Sequence, residues 1–103
     1  MADPMKIRAN RTGDSTEVKV LMSHEMETGQ RKDAQGKVIP AWFIQSVKVT
    51  HNDNVVLAAQ WGPAVSKNPF LSFKFKGGAA GDKVRITWTD NHNDTRTDEA
   101  TIA

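Results

Sequence analysis

His24 is followed by carboxylates at Glu25 and Glu27, and a histidine with nearby carboxylates can hold a divalent cation. A lone histidine beside carboxylates on a loop is ordinarily a solvated loop, and no metal is expected here. Met22, His24 and Met26 alternate, which would suit a soft metal such as copper. Core packing of the two methionines explains the same pattern more simply. Asp90–Asp94 superficially follows a calcium loop, but the central glycine is missing and Thr101 stands where the closing bidentate glutamate belongs. Gly77-Gly78-Ala79-Ala80-Gly81 has no following Lys-Ser/Thr and opens no helix, so it cradles no phosphate. His24, His51 and His92 all fall in predicted turns, and none is flanked by a nucleophile motif. The chain has no cysteine, which removes thiolate metal sites, cysteine nucleophiles and internal disulfides. The residues predict no catalytic set, no metal and no cofactor: not an enzyme.

The elements that position these residues are strands. Pro69–Lys76 and Lys83–Thr89 each alternate apolar and polar residues with period two, the pattern of a strand with one dry face. The small, glycine-rich segment Gly77–Asp82 between them reads as a turn, so the pair is expected to form an antiparallel hairpin. Leu71, Phe73, Phe75, Val84, Ile86 and Trp88 would point inward. Such a hairpin cannot stand alone and needs a second sheet on its dry face.

Met5–Arg11 reads as a short, charged edge strand and Thr12–Ser15 as a turn. Glu17–Ser23 alternates again, spoiled a little by Leu21. In Trp42–Thr50, Phe43, Val47 and Val49 share one face with Gln45, while Trp42 and Ile44 share the other with Ser46 and Lys48. A strand apolar on both faces at its start suggests a central position, or one covered by a partner. His51–Asn54 is a hairpin turn leading to the strand Val55–Trp61. Asp90–Asn93 turns the chain into Asp94–Ala103, which keeps only Ala100 and Ile102 for the core. No helix is expected. About seven short strands at these intervals predict an all-β, immunoglobulin-like antiparallel β-sandwich, with a closed barrel second.

A chain of 103 residues is expected to form a single domain over 1–103. A net charge of +2 is too small to argue for nucleic acid. No run approaches the ~18 apolar residues of a membrane span, so no membrane is expected. Met1–Ile7 has no apolar core of a secretory signal, so no signal peptide is expected.

Two surface features stand out. Lys67, Lys74, Lys76, Lys83 and Arg85 would form a basic stripe on the wet face of the hairpin. It reads either as solubility or as a docking patch for acidic partners. His24–Lys37 is a long stretch punctuated by Gly29 and Gly36, and Asp33–Gly36 fits a type I turn. A loop of this length in a small domain is more often functional than idle. Arg31 and Asp33 are expected to pair across it. Met26, Ile39 and Trp42 would leave apolar surface beside it, which favours an interface.

Met26–Asp33 with Gly36–Pro40, followed by Ser66–Lys76, resembles the SoxZ family of bacterial sulfur oxidation. The resemblance covers nearly the whole chain. It implies an immunoglobulin-like sandwich that pairs with SoxY as a heterodimer. SoxY holds sulfur intermediates on a cysteine in a glycine-rich C-terminal arm. The complex carries them between periplasmic enzymes. The present chain ends Thr101-Ile102-Ala103, without cysteine or glycine. The resemblance further implies export bound to a signal-bearing SoxY, hence a periplasmic location. Two positions depart from the family: Glu25 where proline often follows the loop histidine, and Asn91-His92-Asn93 where the late turn often has glycine.

The expectation is a non-catalytic scaffold subunit of the SoxYZ carrier complex. Met26, Arg31, Asp33, Ile39, Trp42 and Trp61 are the candidate residues for the SoxY interface, since apolar anchors and arginine dominate such contacts. The basic stripe would help dock other Sox enzymes transiently. The alternative is a stand-alone β-sandwich binding module for a carbohydrate or protein ligand, using Trp42 or Trp61.

Overall fold

The computed structural model describes residues 3–103 and contains seven strands and no helix among them. In chain order these are β1 (Lys6–Thr12), β2 (Ser15–Leu21), β3 (Ile44–His51), β4 (Asn54–Gln60), β5 (Phe70–Lys76), β6 (Lys83–Asp90) and β7 (Thr95–Thr101). They form two antiparallel sheets, ordered β1-β2-β5 and β4-β3-β6-β7. This is the expected immunoglobulin-like sandwich. The charged strand β1 lies at an edge, and β3, apolar on both faces at its start, is central.

Two tight hairpins follow local chemistry. Gly13, with φ 66°, takes the first central place of the β1–β2 turn, where a positive φ is required. Asn52 and Asp53 have φ of 47° and 72°, so both central residues of the β3–β4 turn are left-handed, as their short polar side chains allow.

The expected β5–β6 hairpin does not form. β5 pairs with β2, and β6 pairs with β3 and β7. Gly77–Asp82 carries the chain from one sheet to the other instead. Period two reports only that each run has a dry face. Two strands facing each other across the core share that pattern with two strands side by side in one sheet.

Both dry faces meet in one core. Val18, Val20, Ile44, Val47, Val49, Val84, Ile86 and Trp88 are all at most 1% exposed. β3 departs from simple alternation, because its pairing with β6 shifts register between Ile44 and Ser46. That bulge lets Ile44 and Val47 both face inward, although an unbroken strand would put them on opposite faces. On the flank where β1 meets β7, the backbone N–H of Ala103 donates to the Ala9 carbonyl at 2.9 Å, covering part of the outer edge of β1.

Candidate functional site

Between β2 and β3 the chain makes an irregular hairpin, the arm, over residues 27–42. At its base the backbones of Glu27 and Trp42 exchange two hydrogen bonds, of 2.6 and 3.0 Å. Further out, the Ile39 N–H donates to the Arg31 carbonyl at 2.8 Å, and Lys32 bridges Val38. The tip is the expected turn: the Gly36 N–H donates to the Asp33 carbonyl at 3.0 Å. Gly29, at φ 86°, lets the two legs close up, since a Cβ there would stand 3.2 Å from that of Ala41. The molecule measures 53 × 21 × 20 Å. A seven-residue strand spans only about 23 Å, so the arm supplies much of the extra length.

The expected ion pair across the arm, Arg31 with Asp33, is replaced by a different one. Arg31 grips Glu27 with two hydrogen bonds, of 2.6 and 3.1 Å. Those bonds hold the Glu27 carboxyl below its ordinary range and raise Arg31. Asp33 instead accepts the N–H groups of Gln35 and Lys37, at 2.8 and 3.0 Å. Such an Asx turn forms locally with almost no chain to close, so it wins over a partner along the leg.

The arm is clamped by the turn after β6. Asp90 is fully buried, and four donors converge on it. Oδ2 accepts from Trp42 Nε1 at 2.7 Å and from His24 Nε2 at 3.0 Å. Oδ1 accepts the N–H groups of His92 and Asp94, both at 2.9 Å. Burial pushes the Asp90 carboxyl up, but the donors from His24, Asp94, Trp42 and His92 together hold it below its ordinary range. Asn91 adds the second half of the clamp. Its side chain accepts the Phe43 N–H at 2.8 Å and donates to the Ala41 carbonyl at 2.9 Å. Asn93, at φ 64°, supplies the left-handed residue that closes the turn. The segment that superficially follows a calcium loop thus spends its side chains on the chain itself.

Four rings stand in a row across the clamp. His92 stacks on Trp42 at 5.4 Å and 4°, Trp42 lies 5.0 Å from His24, and His24 meets Trp88 edge-on at 5.1 Å. His24 and Asp90 form a buried His–Asp pair, but it is not poised for nucleophilic catalysis. Nδ1 of His24 faces the Met26 N–H at 3.0 Å and must accept from it, which leaves the proton on Nε2, aimed at Asp90. No ring nitrogen remains for a hydroxyl or a metal. Among the described residues no cluster of three His, Asp or Glu is placed to hold a metal ion. Glu25 pairs with Lys67 at 3.3 Å and Glu27 with Arg31.

The structure sorts the six candidate interface residues into three groups. Arg31 and Asp33 are exposed on the arm, and Ile39 is half-buried there. Trp42 is half-buried at the arm's base, with its N–H committed to Asp90 and one ring face stacked by His92, so it offers no free platform to a sugar. Trp61 packs against the core where β4 ends, at the same end of the sandwich. Met26 is a core residue, 5% exposed, and its sulfur accepts the Ile44 N–H at 3.3 Å. It belongs to the foundation of the arm, not to its surface. Its backbone is left-handed, at φ 52°, a conformation that a non-glycine residue holds only when its surroundings impose it. Val38, 54% exposed beside the tip, is the apolar residue that the sequence reading passed over. Its place beside a turn signal was the available clue.

The basic stripe does not exist as one surface. Lys74 and Lys76 lie on the outer face of the three-stranded sheet, while Lys83 and Arg85 lie on the other sheet. Arg85 pairs with Glu99 at 3.0 Å, and Lys83 donates to Thr101 at 2.9 Å. Lys67 sits in the β4–β5 connection, paired with Glu25. The stripe presumed a β5–β6 hairpin and is divided with it.

A family model described as sulphur oxidation protein SoxZ matches residues 5–101. No curated protein matches the sequence. Solved structures with a similar fold include the superoxide reductase (neelaredoxin) of Ignicoccus hospitalis, with a TM-score of 0.65 at 12% identity, over 99% of this chain and 82% of that one. The hypothetical protein PH1083 of Pyrococcus horikoshii OT3 gives a TM-score of 0.63 at 16% identity, over 99% and 89%. A superoxide reductase in its oxidized state gives 0.63 at 17%, also over 99% and 89%. At these identities the likeness shows the fold alone.

Proposed function

The chain belongs to the SoxZ family of sulfur-oxidation proteins, and from that premise we propose that it is the non-catalytic scaffold subunit of a SoxYZ carrier complex. It pairs with SoxY, whose C-terminal cysteine carries the sulfur intermediates, and it offers a rigid platform to the Sox enzymes that visit that cysteine. It works in the periplasm, reached by co-export with a signal-bearing SoxY.

The observation that carries this reading is the clamped arm. A hairpin that protrudes from a sandwich loses solvent-free packing on both sides. Here it is nonetheless fixed at its base by Asp90, Asn91 and the Glu27–Trp42 bridge. Beyond that base it presents Arg31, Val38 and Ile39. A rigid projection with an arginine and two β-branched apolar side chains suits a protein partner, because little conformational entropy is left to lose on binding. The buried His24–Asp90 pair, with both histidine nitrogens occupied, supports a structural role for that pair.

Native mass spectrometry of the chain with purified SoxY tests the reading. A stable one-to-one complex is expected. Absence of that complex, or turnover of thiosulfate by the chain alone, overturns it. Cell fractionation with and without the SoxY signal tests the location, which should change from periplasm to cytoplasm.

A further inference from the structure

The outer face of the three-stranded sheet is strongly basic. The register places Lys6 and Arg8 of β1, Lys19 of β2, and Lys74 and Lys76 of β5 on that face, with Glu17 as its only carboxylate. Those five cations and one carboxylate leave it at +4 in a chain whose total is +2, so the rest of the molecule nets −2. Glu17 is 3.6 Å from Lys19. Lys6, Arg8, Lys74 and Lys76 have no ion-pair partner among the described residues. On the other sheet Arg85 and Arg96 are each paired with a carboxylate.

On one edge of the same sheet, the backbone of Ala103 covers part of β1, bonding the Ala9 carbonyl and the Arg11 N–H. On the other edge, β5 has β2 on one side and, among the described residues, no strand on the other. The Met22 N–H donates to the Pro69 carbonyl at 2.9 Å, and the Gly77 N–H to the Asp14 carbonyl at 2.8 Å. Antiparallel pairing alternates from those two points. It turns the N–H and C=O groups of Phe70, Ser72, Lys74 and Lys76 away from β2, toward open solvent. Their side chains are the ones on the basic face. Lysine on an edge strand is an ordinary defence against edge-to-edge association. That defence does not call for Phe70, which is 63% exposed at the head of the strand with Leu21 opposite it.

We propose that β5 is an acceptor strand: an extended acidic segment of a partner protein adds along its open edge as a fourth strand of the three-stranded sheet. Backbone hydrogen bonds to Phe70, Ser72, Lys74 and Lys76 would supply the grip, and cross-strand side-chain pairs the selection. In antiparallel register the segment would set a carboxylate opposite Lys76, another opposite Lys74, and an apolar residue opposite Phe70. Its signature is therefore acid, spacer, acid, three spacers, apolar residue. This surface is separate from the arm, and the inference stands whether or not the arm binds SoxY. A membrane or a nucleic acid would use the charge but not the edge amides.

The test uses the full chain and a synthetic peptide carrying glutamate, threonine, glutamate, three threonines and leucine in that order. Fluorescence anisotropy at low salt should show saturable binding. Amide resonances of Phe70, Ser72, Lys74 and Lys76 should shift and become protected from exchange. Reversal of both lysines (Lys74→Glu with Lys76→Glu) should weaken binding at least about tenfold. If that variant does not fold, as judged by circular dichroism, the double glutamine variant replaces it. A peptide N-methylated on the amides that face β5 should not bind. The proposal is overturned if the parent peptide does not saturate, if N-methylation leaves binding unchanged, or if anionic vesicles or oligothymidylate bind more tightly than the peptide.

Discussion

The indole nitrogen of Trp42 lies 2.7 Å from Oδ2 of Asp90, a residue 48 positions further along the chain. That contact joins the base of the arm to the turn between β6 and β7. His24 donates to the same oxygen, so a single buried carboxylate fixes the ends of three segments. Asp90→Asn puts an amide donor among groups that are themselves donors. It should cost about 2 kcal/mol or more in urea denaturation. Trp42→Phe removes the N–H together with the pyrrole half of the indole but keeps an aromatic ring beside His92, and should cost about 1 kcal/mol. Equal losses for the two variants would mean that the indole carries the clamp and the carboxylate does not.

Acid should release the same clamp. The folded Asp90 carboxyl lies below its ordinary value of 3.8. A depressed acid contributes fully above the unfolded value and loses that contribution as pH falls through the folded one. Glu27, Asp82 and Asp98 are displaced in the same direction, each first by a side-chain hydrogen bond: from Arg31, His51 and Arg96 respectively. The urea midpoint should therefore hold from neutral pH down to about 5 and fall steeply below about 4. In Asp90→Asn that fall should be shallower. A parallel fall in both proteins would remove Asp90 as a source of acid sensitivity.

Gly78 and Gly13 separate two costs of losing a glycine. Both have positive φ, 85° and 66°. At Gly13 an added Cβ meets nothing within 4 Å, whereas at Gly78 it would overlap Thr16 Oγ1. Thr16 is fully buried and bonded to the Gly77 carbonyl at 2.8 Å, so it has nowhere to go. Gly13→Ala should cost about 1 kcal/mol in backbone strain alone. Gly78→Ala should cost about 3 kcal/mol, because the crossing between the sheets must also shift. Thermal and urea unfolding measure both. Similar losses would show that the crossing yields easily.

The strands were legible because each carries its own period-two pattern, and Asn52–Asp53 announced its turn through residues that tolerate a left-handed backbone. Pairing was legible only across such tight turns, as between β3 and β4, and not across Gly77–Asp82. Phe73 and Ile86 look alike whether they sit in neighbouring strands or in opposite sheets, so the basic stripe was assembled from two separate faces. The clamp was hidden for a related reason. Asp90, His24 and Trp42 are distant in sequence, and a buried aspartate in a turn reads the same as a solvated one. The β3 bulge hid the placement of Ile44, since one inserted residue reverses every face assignment before it.

The arm should bind through its outer residues and not through its base. Trp42→Ala would weaken pairing with SoxY, but it would also break the clamp, so it cannot locate the interface. Val38 is more than half exposed and touches neither the clamp nor the core. Val38→Asp should leave folding stability within about 0.5 kcal/mol, as surface substitutions do. It should nonetheless weaken SoxY binding at least about tenfold, because a charge would be desolvated in an apolar contact. Calorimetric titration against purified SoxY, paired with urea unfolding of the free variant, reads both quantities. Unchanged affinity with unchanged stability would move the SoxY interface away from the arm tip, and the arm's rigidity would then need another explanation.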